Sequence, residues 1–315
     1  MCYTDNTAIF RVFSREFPVI LDSITNVEGS NVYKIVRKEV LNPTICLLEI
    51  EAPFVARKAQ PGQFIILRID EKGERLPLTI GGFDREKGTV TIIFQLVGLT
   101  TKALAKLEEG DALLDFVGPL GMPTEMEGLK SACVIGGGLG TAIAFPVAKG
   151  LHDAGVETDV IVGFRNKDLV ILEDDFRDAC DNFYLMTDDG SYGEQGFTTA
   201  KEKELLESGK KYDVIIAIGP VPMMKFVVKT AEPFGVPTRV SLNPIMIDGT
   251  GMCGGCRVSV GGKMKFACVD GPEFDGYEVD FDELMNRNST YREQEAQMTK
   301  DHMCRFDKMG QDLIR

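Results

Sequence analysis

Positive charge is scarce in this chain. Thirty-five Lys and Arg stand against 48 Asp and Glu, giving a formal charge of −13 at pH 7 and a pI near 4.8. Nucleic-acid binding needs clustered bases to neutralise phosphates, and this balance argues against it. Long apolar runs are missing as well. The longest uncharged stretch, residues 131–148, is broken by Gly136, Gly137, Gly138 and Gly140 and carries Pro146, whereas a membrane span needs ~20 mainly apolar residues. The amino terminus, MCYTDNTAIFRVF, lacks a basic region leading into an apolar core, so no signal peptide is expected. These absences point to a soluble, cytoplasmic chain without nucleic-acid or membrane partners. Its 315 residues, 44% apolar and 26% charged, have ordinary globular composition and suit about two domains.

What the chain has in surplus is glycine, 33 residues, concentrated at 81–82, in GGGLG at 136–140 and in DGTGMCGGC at 248–256. Of the eight cysteines, Cys2, Cys46, Cys133, Cys180 and Cys304 are scattered and read as core or incidental thiols. Cys253, Cys256 and Cys268 fall within sixteen residues. In a reducing compartment such clustering means metal or redox chemistry more often than disulfides.

Three textures follow one another along the chain. Residues 1–30 carry little periodicity and read as an N-terminal extension. Residues 31–127 hold short β runs separated by turns, as in TICLLEIE (44–51), QFIILRID (63–70) and GTVTIIFQLVG (88–98), which predicts an antiparallel β-barrel. From 128 to 240, apolar runs ending in Gly or acid alternate with helical stretches, which predicts βαβ units on a parallel sheet, an α/β domain with its ligands beyond the strands' carboxyl ends. Residues 241–276 form a small cysteine module with a β pair around Gly261-Gly262, and 277–315 a polar, helical tail.

The cysteine loop carries the strongest chemical signal. Four residues separate Asp248 from Cys253, two separate Cys253 from Cys256, and eleven separate Cys256 from Cys268. Plant-type [2Fe–2S] sites use C-x4-C-x2-C and a distant fourth Cys, so the spacing is matched with aspartate in the first ligand position. The glycines let backbone N–H groups turn towards sulfur. Zinc held by three thiolates and a fourth ligand is the competing reading, weakened by the lack of paired knuckles and by having only His152 and His302 in the whole chain.

A second signal is the turn Val134-Ile-Gly136-Gly-Gly138-Leu-Gly140-Thr, with a strand before it and a helix after. It offers backbone N–H groups and a helix N-terminus to a pyrophosphate. It is not G-x-G-x-x-G, and the next strand ends in Gly163-Phe-Arg165 rather than in an acid, so a standard Rossmann site is disfavoured. A third constellation lies in the barrel, Arg75-Leu-Pro77-Leu78-Thr79 with Gly98, Thr100 and Thr101 later. An Arg, hydroxyls and backbone near a proline can hold a phosphate and a flat ring.

In this order the three sets resemble the ferredoxin–NADP reductase superfamily, in its branch with a C-terminal [2Fe–2S] module. The residues behind the resemblance are Arg75-Leu-Pro-Leu-Thr79, the glycine turn, Gly163-Phe-Arg165, Thr187-Asp-Asp-Gly-Ser-Tyr-Gly193, Gly219-Pro-Val-Pro-Met-Met224 and Val240-Ser-Leu-Asn-Pro-Ile-Met246. Within the branch, the chain resembles the electron-transfer subunits of dihydroorotate dehydrogenase. It is more similar to the small subunits of electron-bifurcating, NADH-dependent ferredoxin:NADP oxidoreductases, in which an aspartate and three cysteines hold the cluster. The superfamily's Arg-x-Tyr-Ser/Thr motif places its Arg at Leu76 here, with Arg75 one position earlier.

The resemblance implies FAD on the barrel, with Arg75 at its pyrophosphate, Pro77, Leu78 and Thr79 along the flavin ring, and Gly98, Thr100 and Thr101 towards the phosphates. It implies NAD(H) on the α/β domain, with Gly136, Gly138 and Gly140 at the pyrophosphate turn, Arg165, Asp188 and Asp189 at the ends of later strands, and Gly219-Pro220 near the nicotinamide. Asp188 and Asp189 would repel a 2′-phosphate, which favours NAD(H) over NADP(H). Asp248, Cys253, Cys256 and Cys268 would ligate a [2Fe–2S] cluster. A hydride carries two electrons and a cluster takes one, so a flavin between them converts one currency to the other, and the chemistry belongs to the cofactors. No catalytic side chain is expected. The implied partner is a larger subunit with flavin and [4Fe–4S] clusters. The electron-transfer subunit of dihydroorotate dehydrogenase is the alternative function, and a zinc-stapled, non-enzymatic scaffold is a more distant one.

Overall fold

Alternating burial builds the first sheet. The structure, a computed structural model, describes residues 33–297; the expected N-terminal extension with Cys2, and the end of the tail with His302 and Cys304, lie outside them. Seven strands, β1 (Tyr33–Asn42), β2 (Ile45–Glu51), β3 (Phe64–Arg68), β4 (Leu76–Asp84), β5 (Thr89–Gln95), β6 (Ala112–Leu113) and β7 (Asp115–Leu120), pair antiparallel in the order β6-β1-β2-β5-β4-β3-β7. Short helices α1 (Pro53–Lys58) and α2 (Leu99–Leu104) fill two of the connections. The edge strands β6 and β7 are separated only by Leu114, whose N–H donates to the Arg68 carbonyl at 3.0 Å, so the sheet rolls into a nearly closed barrel.

In β5, Val90, Ile92 and Phe94 share one face and are fully buried inside the barrel. The first four residues of β2 are buried on both faces, which explains why Ile45-Cys-Leu-Leu48 reads as an unbroken apolar run. Cys46, Leu48 and Ile50 fill the barrel, whereas Ile45 and Leu47 join Ile93 in a core shared with the second domain. Burying such side chains stabilises the docking by about 1.5–3 kcal/mol each.

The second sheet contains β8 (Ser131–Gly137), β9 (Glu157–Phe164), β10 (Asn182–Thr187), β11 (Glu194–Gln195), β12 (Val214–Ile218) and β13 (Thr238–Ser241), all parallel. Helices α3 (Gly140–Asp153), α4 (Glu173–Arg177), α5 (Thr198–Glu207) and α6 (Val221–Ala231) connect them. The order is β11-β10-β9-β8-β12-β13, with β16 (Glu273–Asp275) beyond β13. From β8 the chain steps outward through β9 to β11, then returns to β12 on β8's other side. That reversal opens a crevice at the carboxyl ends of β8 and β12.

The cysteine module begins with β14 (Arg257–Val260) and β15 (Lys263–Phe266), a hairpin turned by Gly261 and Gly262 at φ +57° and +69°. Cys268 lies in the single-turn helix α7 (Ala267–Asp270). The chain then returns as β16 (Glu273–Asp275), which pairs antiparallel with β13 and completes the second sheet. The stretch expected to form a separate module therefore shares the nucleotide domain's sheet at its end. The expected helical tail starts with α8 (Phe281–Asn288), capped by the Asp280 carboxylate, which accepts from the Glu283 N–H at 2.9 Å, and seated through Phe281 and Leu284. Among the described residues no helix is long and apolar enough to cross a membrane.

Candidate functional site

The barrel, the carboxyl edge of the parallel sheet and the segment leading into the cysteine loop enclose one cavity of about 1120 Å³. That exceeds the ~300–1,000 Å³ of an ordinary small-molecule pocket. β4 supplies Pro77, Leu78 and Thr79; the glycine turn supplies Gly137 to Gly140; β9, β10 and β12 end in Arg165, Asp188 and Gly219-Pro220. Ser241 to Pro244 and Met246 form the wall towards the cysteines.

The glycines in the turn have different duties. A Cβ on Gly140 would lie 2.3 Å from the Ile218 carbonyl oxygen, and one on Gly137 would lie 2.2 Å from Met223 Sδ. Gly136 is similarly closed, 2.9 Å from the Thr141 Cα, and does not line the cavity. Only Gly138, at φ +56°, has open space where a Cβ would be. The turn thus brings bare backbone to the cavity at the start of α3, a 14-residue helix whose first turn no side chain caps. Bare backbone and a positive helix end suit a pyrophosphate.

The expected residues divide into two groups. Pro77, Leu78, Thr79, Gly138, Gly140, Arg165, Asp188, Gly219 and Pro220 line the one cavity, although they come from two domains. Arg75, Gly98, Thr100, Thr101, Gly136 and Asp189 do not. Arg75 donates instead to the carbonyls of Ile247 and Asp248. The Thr101 hydroxyl accepts from the N–H groups of Val97 and Gly98 at 3.1 and 3.0 Å, and Thr100 donates to Glu74 at 2.6 Å. The Thr101 hydroxyl serves the local turn, and that of Thr100 reaches the segment before β4. Asp189 accepts from the Ser191 N–H at 2.9 Å, and the Ser191 hydrogen bonds hold its carboxyl below the usual range.

Two aromatic residues at the cavity, Phe197 and Phe226, had no place in the sequence reading, and they stand 68% and 59% exposed. The signal for Phe226 was present: Val221, Met224, Val228 and Ala231 make the buried stripe of α6, and Phe226 falls off it. For Phe197, just before α5, no local pattern distinguishes it from a core residue.

In the cysteine loop, Cys256 and Cys268 are almost fully buried and Cys253 is exposed. Burial first, then the hydrogen bond and charge of Cys256, push the Cys268 thiol well above its ordinary range, while the Gly251 N–H pulls the other way. The Gly255 N–H points at Cys253 Sγ, 3.4 Å away. Gly249, Gly251 and Gly254 all take positive φ, +83°, +82° and +67°. The Asp248 carboxylate accepts from the hydroxyl and the N–H of Thr250, and chiefly the hydroxyl, with help from the Arg75 charge, lowers its pKa. Among the described residues no three Cys, His, Asp or Glu side chains converge on one ion position: Cys268 pairs with Cys256, Cys253 stands exposed and Asp248 faces Thr250. The donor chemistry, three soft thiols on one short segment with Cys268 bonded to Cys256 and N–H groups aimed at sulfur, fits an iron–sulfur cluster.

Comparison with known proteins agrees with this geometry. Residues 243–280 match the family model described as the iron–sulfur cluster binding domain of dihydroorotate dehydrogenase B. A Thermotoga maritima protein named a homologue of the dihydroorotate dehydrogenase B (NAD+) electron transfer subunit is 47% identical over 85% of this chain and 94% of its own length. The Fusobacterium nucleatum electron transfer subunit of that enzyme is 34% identical over 75% of this chain and 92% of its own. A solved structure of an NADH-dependent reduced ferredoxin–NADP oxidoreductase, described as giving insight into flavin-based electron bifurcation, superposes with a TM-score of 0.82. It is 45% identical and covers 87% of this chain and 99% of its own. A ferredoxin NADP+ reductase from Neisseria gonorrhoeae, at 19% identity, TM-score 0.53, 64% of this chain and 90% of its own, shares the fold.

Proposed function

Because the chain belongs to the family of dihydroorotate dehydrogenase B electron-transfer subunits and their homologues, within the ferredoxin–NADP reductase superfamily, we propose that it is the FAD and [2Fe–2S] subunit of an NADH-dependent ferredoxin:NADP oxidoreductase. One observation carries this reading: a single cavity is walled by Pro77–Thr79 of the barrel, by Gly138–Gly140 of the glycine turn, and by Ser241–Met246 leading into the cysteines. The flavin and nucleotide sites share that cavity, and the cluster loop starts at Asp248, two residues past its wall at Met246.

When bound, a flavin accepts a hydride from NADH and gives up electrons singly, and a [2Fe–2S] cluster takes them one at a time. The chain's own residues bind and orient. Pro77, Leu78 and Thr79 back a flat ring, and the start of α3 with Gly138 receives the dinucleotide pyrophosphate. Gly219 and Pro220 face its reactive end. Of the residues lining the cavity only Arg165 and Asp188 ionise, both on exposed strand ends. No side chain inside is placed to move a proton, and a hydride transfer needs none. Cys253, Cys256 and Cys268, with Asp248 as the fourth ligand, would hold the cluster.

The partner is a larger subunit carrying a second flavin and [4Fe–4S] clusters; this chain has three clustered cysteines and could not hold them itself. The dihydroorotate reading draws on the match at residues 243–280, while the 45% identical structure over 99% of its own length supports the transhydrogenase reading. The deciding experiment is co-purification of the chain from its native host, followed by visible spectroscopy and NADH titration. Flavin and [2Fe–2S] bands bleached by NADH, with a flavin-bearing iron–sulfur partner, support the proposal. A colourless zinc protein, or a dihydroorotate-oxidising partner, would reject it.

A further inference from the structure

Arg75 stands one residue before β4, the strand whose Pro77, Leu78 and Thr79 wall the cavity. Its Nε donates to the Ile247 carbonyl at 3.0 Å and its Nη2 to the Asp248 carbonyl at 3.2 Å, across 172 and 173 residues of chain. The planar fork of a guanidinium can hold two consecutive carbonyls in fixed relation, which an ammonium cannot do. The next residue, Gly249, is pressed onto the same barrel. A Cβ there would lie 2.7 Å from Ile66 Cδ1 and 2.9 Å from Leu120 Cδ1, on β3 and β7. The entrance to the cysteine loop is therefore held from β3, β7 and the start of β4. Beyond it, glycines at 249, 251 and 254 leave little stiffness in the loop itself.

We propose that Arg75 is a positioning residue for the iron–sulfur loop and not a ligand of the flavin pyrophosphate: by gripping the Ile247 and Asp248 carbonyls it sets the direction from which Asp248 and the three thiols face the flavin strand. The proposal rests on reading residues 248–268 as the cluster loop. It ties the loop's entrance to the barrel, while β16 ties the far end of the same module to the nucleotide domain's sheet.

The test uses the full chain with Arg75→Lys and Arg75→Gln, both metal-free and loaded with cluster and FAD. In the metal-free chain, amide exchange over residues 247–252 is expected to speed at least about tenfold in both variants, since neither replacement forks two carbonyls. In the loaded chain the cluster's electron paramagnetic resonance line and midpoint potential are expected to shift, less for Lys than for Gln, while FAD affinity stays within about twofold of wild type. A variant that loses FAD affinity about tenfold while the resonance and potential stay put would overturn the proposal and return Arg75 to the flavin. Unchanged exchange in the metal-free chain would overturn it as well. If the wild-type chain takes up no [2Fe–2S] cluster, the proposed function fails. Whether Arg75 holds the loop is still decided by the metal-free exchange alone.

Discussion

The Cβ that Gly140 lacks would sit 2.3 Å from the carbonyl oxygen of Ile218 and 2.6 Å from the Cα of Gly219. The first residue of α3 and the end of β12 therefore touch backbone to backbone, and neither can yield as a flexible side chain would. This contact shapes the crevice between β8 and β12.

Gly140→Ala tests that contact. Alanine would favour the helix by up to ~1 kcal/mol, but overpacking against backbone costs typically ~1–3 kcal/mol and should win. A lower melting temperature is expected, with NADH affinity reduced more than FAD affinity, because α3 rather than the barrel is displaced. Calorimetry and separate ligand titrations check it; a variant as stable as wild type with unchanged NADH binding would contradict the reading.

Nucleotide choice is expected to depend on Asp188. The wild-type chain should be reduced faster by NADH than by NADPH, because a carboxylate on the cavity wall repels a 2′-phosphate. A charge pair at ~4 Å interacts by ~1 kcal/mol in water and ~4 kcal/mol near a protein surface. Asp188→Asn should therefore narrow the preference by roughly tenfold, about 1.4 kcal/mol, near the lower end of that range as suits an exposed carboxylate. Asp189→Asn should do less, since Asp189 is committed to Ser191 and lies off the cavity. Stopped-flow reduction with both nucleotides reads this directly, and an equal effect from the two substitutions would refute the distinction.

The fourth cluster ligand is proposed to be Asp248. To serve, its carboxylate must leave the Thr250 hydroxyl that it accepts from in this structure. Asp248→Cys should keep a [2Fe–2S] cluster with a shifted potential and spectrum, and Asp248→Ala should lose or destabilise it. An Ala variant with an unchanged paramagnetic signal would dismiss Asp248 and leave the three cysteines in place. Stripping the iron with a chelator should lower stability, since the bonds that cross-link the loop are lost and Cys256 and Cys268 stay buried without them.

Glu202, on α5, is 1% exposed, and neither carboxylate oxygen has a hydrogen-bond partner. Burial raises its pKa to about 9. Its neighbour Lys201 offers no relief, being paired with Glu194 and Glu204 at 2.6 and 2.9 Å. At pH 7 the native state keeps this proton and the unfolded state has released it, so stability should be full below about 4.3, the usual Glu value, and fall as pH rises towards 9. Glu202→Gln removes the titration. Its melting temperature should exceed wild type by a margin that grows between pH 5 and 9, and a margin that stays flat across that range would refute the account.

Much of the chain's organisation could be read from short-range pattern alone. A strand buried on one face must alternate, and one buried on both, such as the first four residues of β2, must not; either way its length and flanking turns betray it. The Asp248, Cys253, Cys256 and Cys268 spacing is likewise legible, because the first three lie on one glycine-rich loop and Cys268 follows a single short hairpin. So is the glycine turn, since a strand, a bend and a helix are all local events. What could not be read was which of these meet. Arg75 and Asp248 are 173 residues apart, and only the packing of the loop on β3 and β7 brings that guanidinium to the loop's carbonyls rather than to a phosphate. Phe197 and Phe226 look apolar and could have been core; which side faces the cavity depends on how α5 and α6 lie on the sheet. β16 is three residues long, too short for any periodicity, and exists as a strand because the edge of β13 was free to receive it. Local propensity names the elements, but contacts across more than a hundred residues are chosen by which faces can be buried together, and that choice is made in three dimensions.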